Sequence, residues 1–252
     1  MFFDTHAHYD DERYDDDRDV LLRSMADHDV GLIVNAGSGV AESRRGLEIA
    51  ETYDFVYAAI GVHPHEAEKM DDGTVDVLRD LLRRPKAVAV GEIGLDYHYD
   101  FSPRDVQKAR FREQLELARD VRLPVIIHER EAFEDVMTIL SDYRDLPLVV
   151  HCFSGDWDAA KRVLDNGWML SFTGVVTFKK NKALDVAARV PIDRIMLETD
   201  SPYLAPDPLR GKRCDSTMLI HTARKIADAR GITVEELAEA TTRNGKRFFG
   251  IE

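Results

Sequence analysis

Eight short apolar runs recur along the chain, and amphipathic segments separate them. The runs are Phe2-Phe3, "GLIVNAG" (31–37), "FVYAAIG" (55–61), "AVAVGEIG" (87–94), "PVIIHER" (124–130), "PLVVHCF" (147–153), "WMLSFTG" (168–174) and "RIMLETD" (194–200). Their nearly continuous apolar character suits strands covered on both faces of a parallel sheet. In the segment 104–121, Phe111, Leu115 and Ala118 follow i, i+4, i+7 spacing, which is one buried stripe of a helix. Segment 216–230 repeats this with Leu219, Ala223, Ile226 and Ala227, and "TVEE" (233–236) reads as a capping box opening one more helix. Strand and helix alternate with no low-complexity linker. The expectation is an α/β fold, a single (β/α)8 TIM barrel domain over residues 1–252. An open doubly wound sheet is disfavoured because no Gly-rich phosphate loop follows any run.

In such a barrel the working groups gather at the C-terminal ends of the strands. Polar residues close these runs: His6 and His8 in "DTHAH", His63 and His65 in "GVHPH", Glu92 in "GEIGLDY", His128 and Arg130, His151 in "HCFSG", and Asp200 in "ETDSP". A strand points residues two apart to one face, so His6 and His8 can grip one ion together. His6, His8, Glu92, His128, His151 and Asp200 offer four imidazoles and two carboxylates, more than one ion with an open position requires. Glu92 bridging two divalent ions accommodates all six, and Asp200 is then placed to accept the proton of an activated water. The chemistry expected is hydrolysis.

The chain holds 47 acidic and 34 basic residues, a formal net charge of −13. That argues against broad attraction to nucleic acid or anionic membranes, but leaves room for a phosphate-bearing substrate held by local cations. Two clusters offer them, "FKKNK" (178–182) and "LRGKR" (209–213), the latter including Lys212. They fall after the seventh and eighth runs, on the rim where the metal centre is expected. No apolar run approaches the length needed to span a bilayer, the start has no signal-peptide pattern, and two cysteines do not make a disulfide framework. A reducing cytoplasm is the expected compartment.

In this order and spacing, "DTHAH", "GVHPH", "GEIGLDY", "IHEREA", "HCFSG", "ETDSPYLAP" and "RGKR" resemble the TatD family of metal-dependent deoxyribonucleases, within the amidohydrolase superfamily. The similarity runs from Phe2 to "TRNGKRFF" near the C-terminus. It implies a TIM barrel, a two-metal centre and DNase activity, typically 3′→5′ exonucleolytic. By the family's motifs His6 and His8 hold one ion, Glu92 bridges, His128 and His151 hold the other, and Asp200 is ligand and base. One departure stands out: the family's usual "RGKRNEP" is "RGKRCDS" here, so Cys214, Asp215 and Ser216 replace Asn, Glu and Pro. Cys214 reads as a tolerated small residue, with an exposed oxidisable thiol as its alternative.

Other residues carry two readings each. His63 is a phosphate contact or a loop anchor, and His65 a structural cap on the segment that follows. Arg130 either forks onto phosphate oxygens or orients Glu92 or another acid through a salt bridge. Glu198 reads as a partner supporting a ligand histidine or as the mate of an internal cation, and Cys152, next to His151, as buried and facing the helices. Tyr97 and Tyr203 can stack bases or simply pack. The acidic run 9–19 reads as a solvated helix start. Lys180 and Lys212 are the expected cationic contacts.

The substrate expected is DNA, as short or single-stranded ends, with Mg²⁺, Mn²⁺ or Zn²⁺ as the two ions and no obligate protein partner. The alternative is an ester or amide hydrolase on the same centre, such as a D-aminoacyl-tRNA deacylase. A third reading, a binding module without activity, is disfavoured because all six ligand types are present.

Overall fold

The computed structural model describes residues 1–179 and 181–252. Its strands are β1 (Phe2–Ala7), β2 (Val30–Ala36), β3 (Val56–Ile60), β4 (Ala87–Asp96), β5 (Val125–Arg130), β6 (Leu148–Val150), β7 (Met169–Phe172) and β8 (Ile195–Leu197). Helices alternate with them: α1 (Arg18–Arg23), α2 (Val40–Thr52), α3 (Thr74–Leu81), α4 (Arg104–Val121), α5 (Phe133–Leu140), α6 (Trp157–Asp165), α7 (Ala183–Arg189), α8 (Leu219–Arg230) and α9 (Val234–Phe249). The strands follow chain order in the sheet, β1 through β8. The fold is the expected (β/α)8 class.

Two compact units make up the chain, residues 1–35 with 152–252 and residues 36–151. In the first, β1 pairs in parallel with β2, β7 with β8, and Ala7 bridges Ser201. Helix α9 packs on β1, with the Phe3 and Phe249 rings 5.8 Å apart. The approach is close enough that a Cβ on Gly245 would lie 2.7 Å from the Phe3 ring, so glycine is required there. The capping box forms as the sequence predicts: Glu236 N–H donates to Thr233 Oγ1 at 3.1 Å, and Thr233 N–H to Glu236 Oε2 at 2.8 Å.

In the second unit β3, β4, β5 and β6 pair in parallel, and all ten residues of β4 are buried. Helix α4 buries the expected Phe111, Leu115 and Ala118, and also Gln107 and Gln114. These two amides are ties. Gln114 donates to Val62 O at 3.0 Å and accepts from Val62 N–H at 2.8 Å. Gln107 does the same for the backbone of Asp96, at 3.1 and 2.9 Å. Each satisfies backbone groups left over where a strand ends, which is where the site residues begin.

Strands β6 and β8 are shorter than the apolar runs suggest, three residues each. Beyond them Cys152 and Asp200 adopt left-handed backbone, φ 46° and 58°. Alternation of faces therefore stops before these residues. Cys152 is half-buried rather than buried, its N–H donates to Glu198 Oε1 at 2.5 Å, and its Sγ lies 3.5 Å from Thr173 Oγ1. No described helix is long and apolar enough to cross a membrane.

Candidate metal centre

Within the first unit, β1 carries His6 and the next turn carries His8. Their Nε2 atoms are 3.1 Å apart, as two-residue alternation predicts. Asp200 arrives from the loop after β8, held by its own N–H donating to His6 O at 2.9 Å. Its Oδ1 lies 3.7 Å from His6 Nε2 and 3.4 Å from His8 Nε2. Asp4 anchors that loop from beneath. The carboxylate is fully buried and accepts from Thr199 N–H (2.9 Å), Thr199 Oγ1 (2.6 Å) and Ser216 Oγ (2.6 Å). Burial pushes its pKa up to about 7 despite those donors.

Within the second unit, Glu92 Oε1 is 2.7 Å from His128 Nδ1 and 2.8 Å from His151 Nε2, and the two nitrogens are 3.3 Å apart. His63 joins at the edge, its Nε2 3.5 Å from Glu92 Oε1. Its Nδ1 accepts from His65 N–H, so His63 is the cap of the short turn 64–69. Burial, then the neighbouring His128, hold the His63 imidazole well below its usual pKa and keep it neutral. His65, expected as the cap, instead reaches Asp96 Oδ2 at 2.9 Å. Asp96 also lies 3.0 Å from His128 Nε2. Burial opposes a charged His128, but the bonds to Asp96 and Glu92 outweigh it and raise its pKa. The Asp96 carboxyl, disfavoured as an anion by burial, is held well below the usual range by His128 and His65.

Asp96 is absent from the sequence-based set of candidates. It stands four residues after Glu92 on the same strand, and that even spacing is the signal that finds it. Between them lies Gly94, paired with His128, where a Cβ would lie 2.0 Å from the His128 carbonyl oxygen. Only glycine lets β5 come near enough for His128 to reach both carboxylates.

The donor sets fit divalent ions. Ligands about 2.0–2.2 Å from one ion lie roughly 2.8–3.6 Å from one another in tetrahedral or octahedral arrangements. The triad His6, His8, Asp200 and the triad Glu92, His128, His151 have edges of 2.7–3.7 Å. Imidazole nitrogens with a carboxylate oxygen are borderline donors that suit Zn²⁺ or Mn²⁺.

The outer residues divide. Arg130 is exposed at the end of β5 and stacks on the Tyr99 ring, 4.8 Å from its centroid. Among the described residues no ion pair joins it to Glu92. The Tyr97 hydroxyl donates to Asp135 at 2.5 Å and its ring carries Arg104 at 4.1 Å. Tyr203 is 48% exposed, edge-on to His8 at 6.3 Å, with Arg13 over its ring. Lys212 is exposed, whereas Arg213 of the same cluster pairs with Asp17 through both terminal guanidinium nitrogens, Nη1 and Nη2 (2.8 and 2.6 Å). Arg210 lies 4.0 Å over the Phe178 ring, which brings the two basic clusters together. Lys180 lies outside the described residues. Asp10, in the acidic run read as solvated, is buried and accepts from Asn35 Nδ2 at 2.8 Å. At the "RGKRCDS" departure Cys214 is fully buried, the tolerated small residue rather than an exposed thiol, and burial pushes its thiol pKa up. Asp215 caps the turn that follows, and Ser216 binds Asp4 and Tyr9.

A family model described as TatD related DNase matches residues 3–250. The chain is 43% identical to the uncharacterized metal-dependent hydrolase YabD of Bacillus subtilis, covering all of both chains. It is 32% identical to the 3′-5′ ssDNA/RNA exonuclease TatD of Escherichia coli, covering 99% of each. The crystal structure of YJJV, a TatD homologue from Escherichia coli, superposes with a TM-score of 0.94 at 32% identity, covering 100% of this chain and 98% of that one.

Proposed function

The chain belongs to the TatD family of metal-dependent hydrolases, and on that premise we propose that it removes nucleotides from the 3′ ends of short or single-stranded DNA. One observation carries the reading: two triads of imidazole and carboxylate atoms, each with the edge lengths of a ligand set. His6, His8 and Asp200 would hold one ion, His128 and His151 the other, and Glu92 would serve both. Two divalent ions, Mg²⁺, Mn²⁺ or Zn²⁺, would lower the pKa of a bound water and offset charge developing on a phosphoryl oxygen.

The chain's own groups do the rest. Asp200 takes the proton of the attacking water, a task suited to a carboxylate that is only partly buried. His63, neutral and next to Glu92, donates a hydrogen bond to a phosphate oxygen without adding a buried charge. Arg130 and Lys212 meet the strand's backbone, Lys180 is assigned the same role from its place in the sequence after the seventh run, and Tyr203 offers a ring face near His8. Tyr97 contributes by supporting Arg104. The work is assigned to one hydrolase domain over residues 1–252 and to a reducing cytoplasm, where Cys152 and Cys214 stay as thiols.

The test is direct. Protein stripped with a chelator should release no nucleotides from single-stranded DNA labelled at the 3′ end, and added Mg²⁺ or Mn²⁺ should restore release. A metal-loaded enzyme that leaves DNA whole but clears a D-aminoacyl ester would replace phosphoryl with acyl transfer.

A further inference from the structure

The loop after β4 exposes two aromatic rings side by side. Tyr99 is 48% and Phe101 64% exposed, and they stack with centroids 5.2 Å apart and planes 19° from parallel. The other exposed large apolar side chains among the described residues are scattered: Met1, Val20, Ile192 and Tyr203. Leaving two neighbouring rings in water forgoes their burial, so the arrangement calls for an occupant.

The loop is held in place before anything binds. Asp96 Oδ1 accepts from His98 N–H (3.0 Å) and Tyr99 N–H (2.9 Å). After the rings, Ser102 Oγ is buried, donates to His65 O at 2.9 Å and accepts from Glu68 N–H at 3.1 Å. A cation accompanies the pair, since Arg130 lies over Tyr99. The platform also adjoins the second triad of its own unit. The His65 ring is 4.8 Å from Phe101 and 6.2 Å from His128.

We infer that Tyr99 and Phe101 form a platform on which a nucleobase of single-stranded nucleic acid stacks, with Arg130 meeting an adjoining phosphate. The inference rests on the proposed nuclease reading and names how that site holds its substrate. Flat rings beside a guanidinium match a base linked to a phosphodiester, and stacking is tolerant of sequence because every base has a π face. Two rings are too small a patch for a stable protein partner.

The measurement compares metal-loaded wild type, Phe101→Leu and Phe101→Trp. The probe is a fluorescent oligothymidylate with phosphorothioate 3′ linkages that resist cleavage, with binding followed by anisotropy. Phe101→Leu should weaken binding by about tenfold and raise KM on cleavable DNA to match, with kcat unchanged, while Phe101→Trp retains wild-type affinity. An oligomer abasic at its 3′ end should bind wild type and Phe101→Leu alike. If Phe101→Leu binds thymidylate as wild type does, or if the abasic oligomer binds wild type as tightly as thymidylate, the platform is overturned. If wild type binds through Phe101 but cuts no DNA, the nuclease reading falls and the platform stands. If DNA is cut and Phe101→Leu changes nothing, the platform alone falls. If wild type binds no oligomer, both fall.

Discussion

Asp96 Oδ2 lies 3.0 Å from Nε2 of His128, while the opposite nitrogen of that ring, Nδ1, faces Glu92 at 2.7 Å. A proton on Nε2 bound to Asp96 leaves the Nδ1 lone pair aimed at the triad, so the carboxylate sets both tautomer and ring orientation. Asp96→Asn keeps an oxygen for the loop N–H groups but removes the charge. It should weaken metal affinity by about 10–100-fold, read by competition against a chromophoric chelator, with far-ultraviolet circular dichroism unchanged. Unchanged affinity would leave Asp96 a loop anchor only.

Asp200→Asn concerns the proton. An amide cannot accept it from water, so turnover should drop by on the order of a hundredfold or more while the fold is retained. The backbone bond from Asp200 N–H to His6 O is independent of the side chain, which keeps the loop in register. Near wild-type turnover would remove Asp200 from the chemistry.

The sequence shows some of these relationships and hides others, for physical reasons. His6 and His8 are legible because a strand repeats every two residues, and Glu92 and Asp96 share that parity although only Glu92 stands out as a ligand. Parity stops applying at His151–Cys152, because the strand ends at Val150 and Cys152 takes a left-handed conformation that a non-glycine residue adopts without any sequence signature. Side-chain pairings across loops are equally hidden. Nothing in "RGKR" says that Arg213 is engaged by Asp17 while Lys212 is not, or that Arg210 covers Phe178. The capping box at Thr233 and the stripe of α4 were readable because both are local.

Those pairings separate two neighbours experimentally. Lys212→Ala should weaken DNA binding and make the logarithmic salt dependence shallower by about one, and Lys180→Ala added to it should extend the effect. Arg213→Ala should leave the salt slope alone. It should cost about 1 kcal/mol of stability, since its exposed pair with Asp17 is screened and its packing on Tyr14 is lost. Equal salt slopes for Lys212→Ala and wild type would make Lys212 an ordinary solvated loop charge.

Asp4 predicts a pH dependence of opposite sign to that of most carboxylates. Its pKa rises from 3.8 to about 7 on folding, so within that window the folded chain binds more protons than the unfolded one. Stability contributed by this group is therefore present at low pH and declines as pH climbs towards 7. Urea unfolding of metal-free protein across the window should show that decline in wild type and lack it in Asp4→Asn. Parallel slopes would mean that the donors Thr199 and Ser216 hold Asp4 ionised throughout.

The packing of α9 on β1 has a consequence for how the protein is made. Phe3 leaves the ribosome long before the ring it leans on, Phe249, and the glycine that admits it, Gly245. Asn244 likewise ties off the carbonyls of Ile192 and Ile195 only then, at 2.7 and 2.8 Å. A nascent chain halted before Val234 keeps an apolar strand without its cover, and so displays along β1 the mark by which chaperones and proteases recognise unfinished polypeptide.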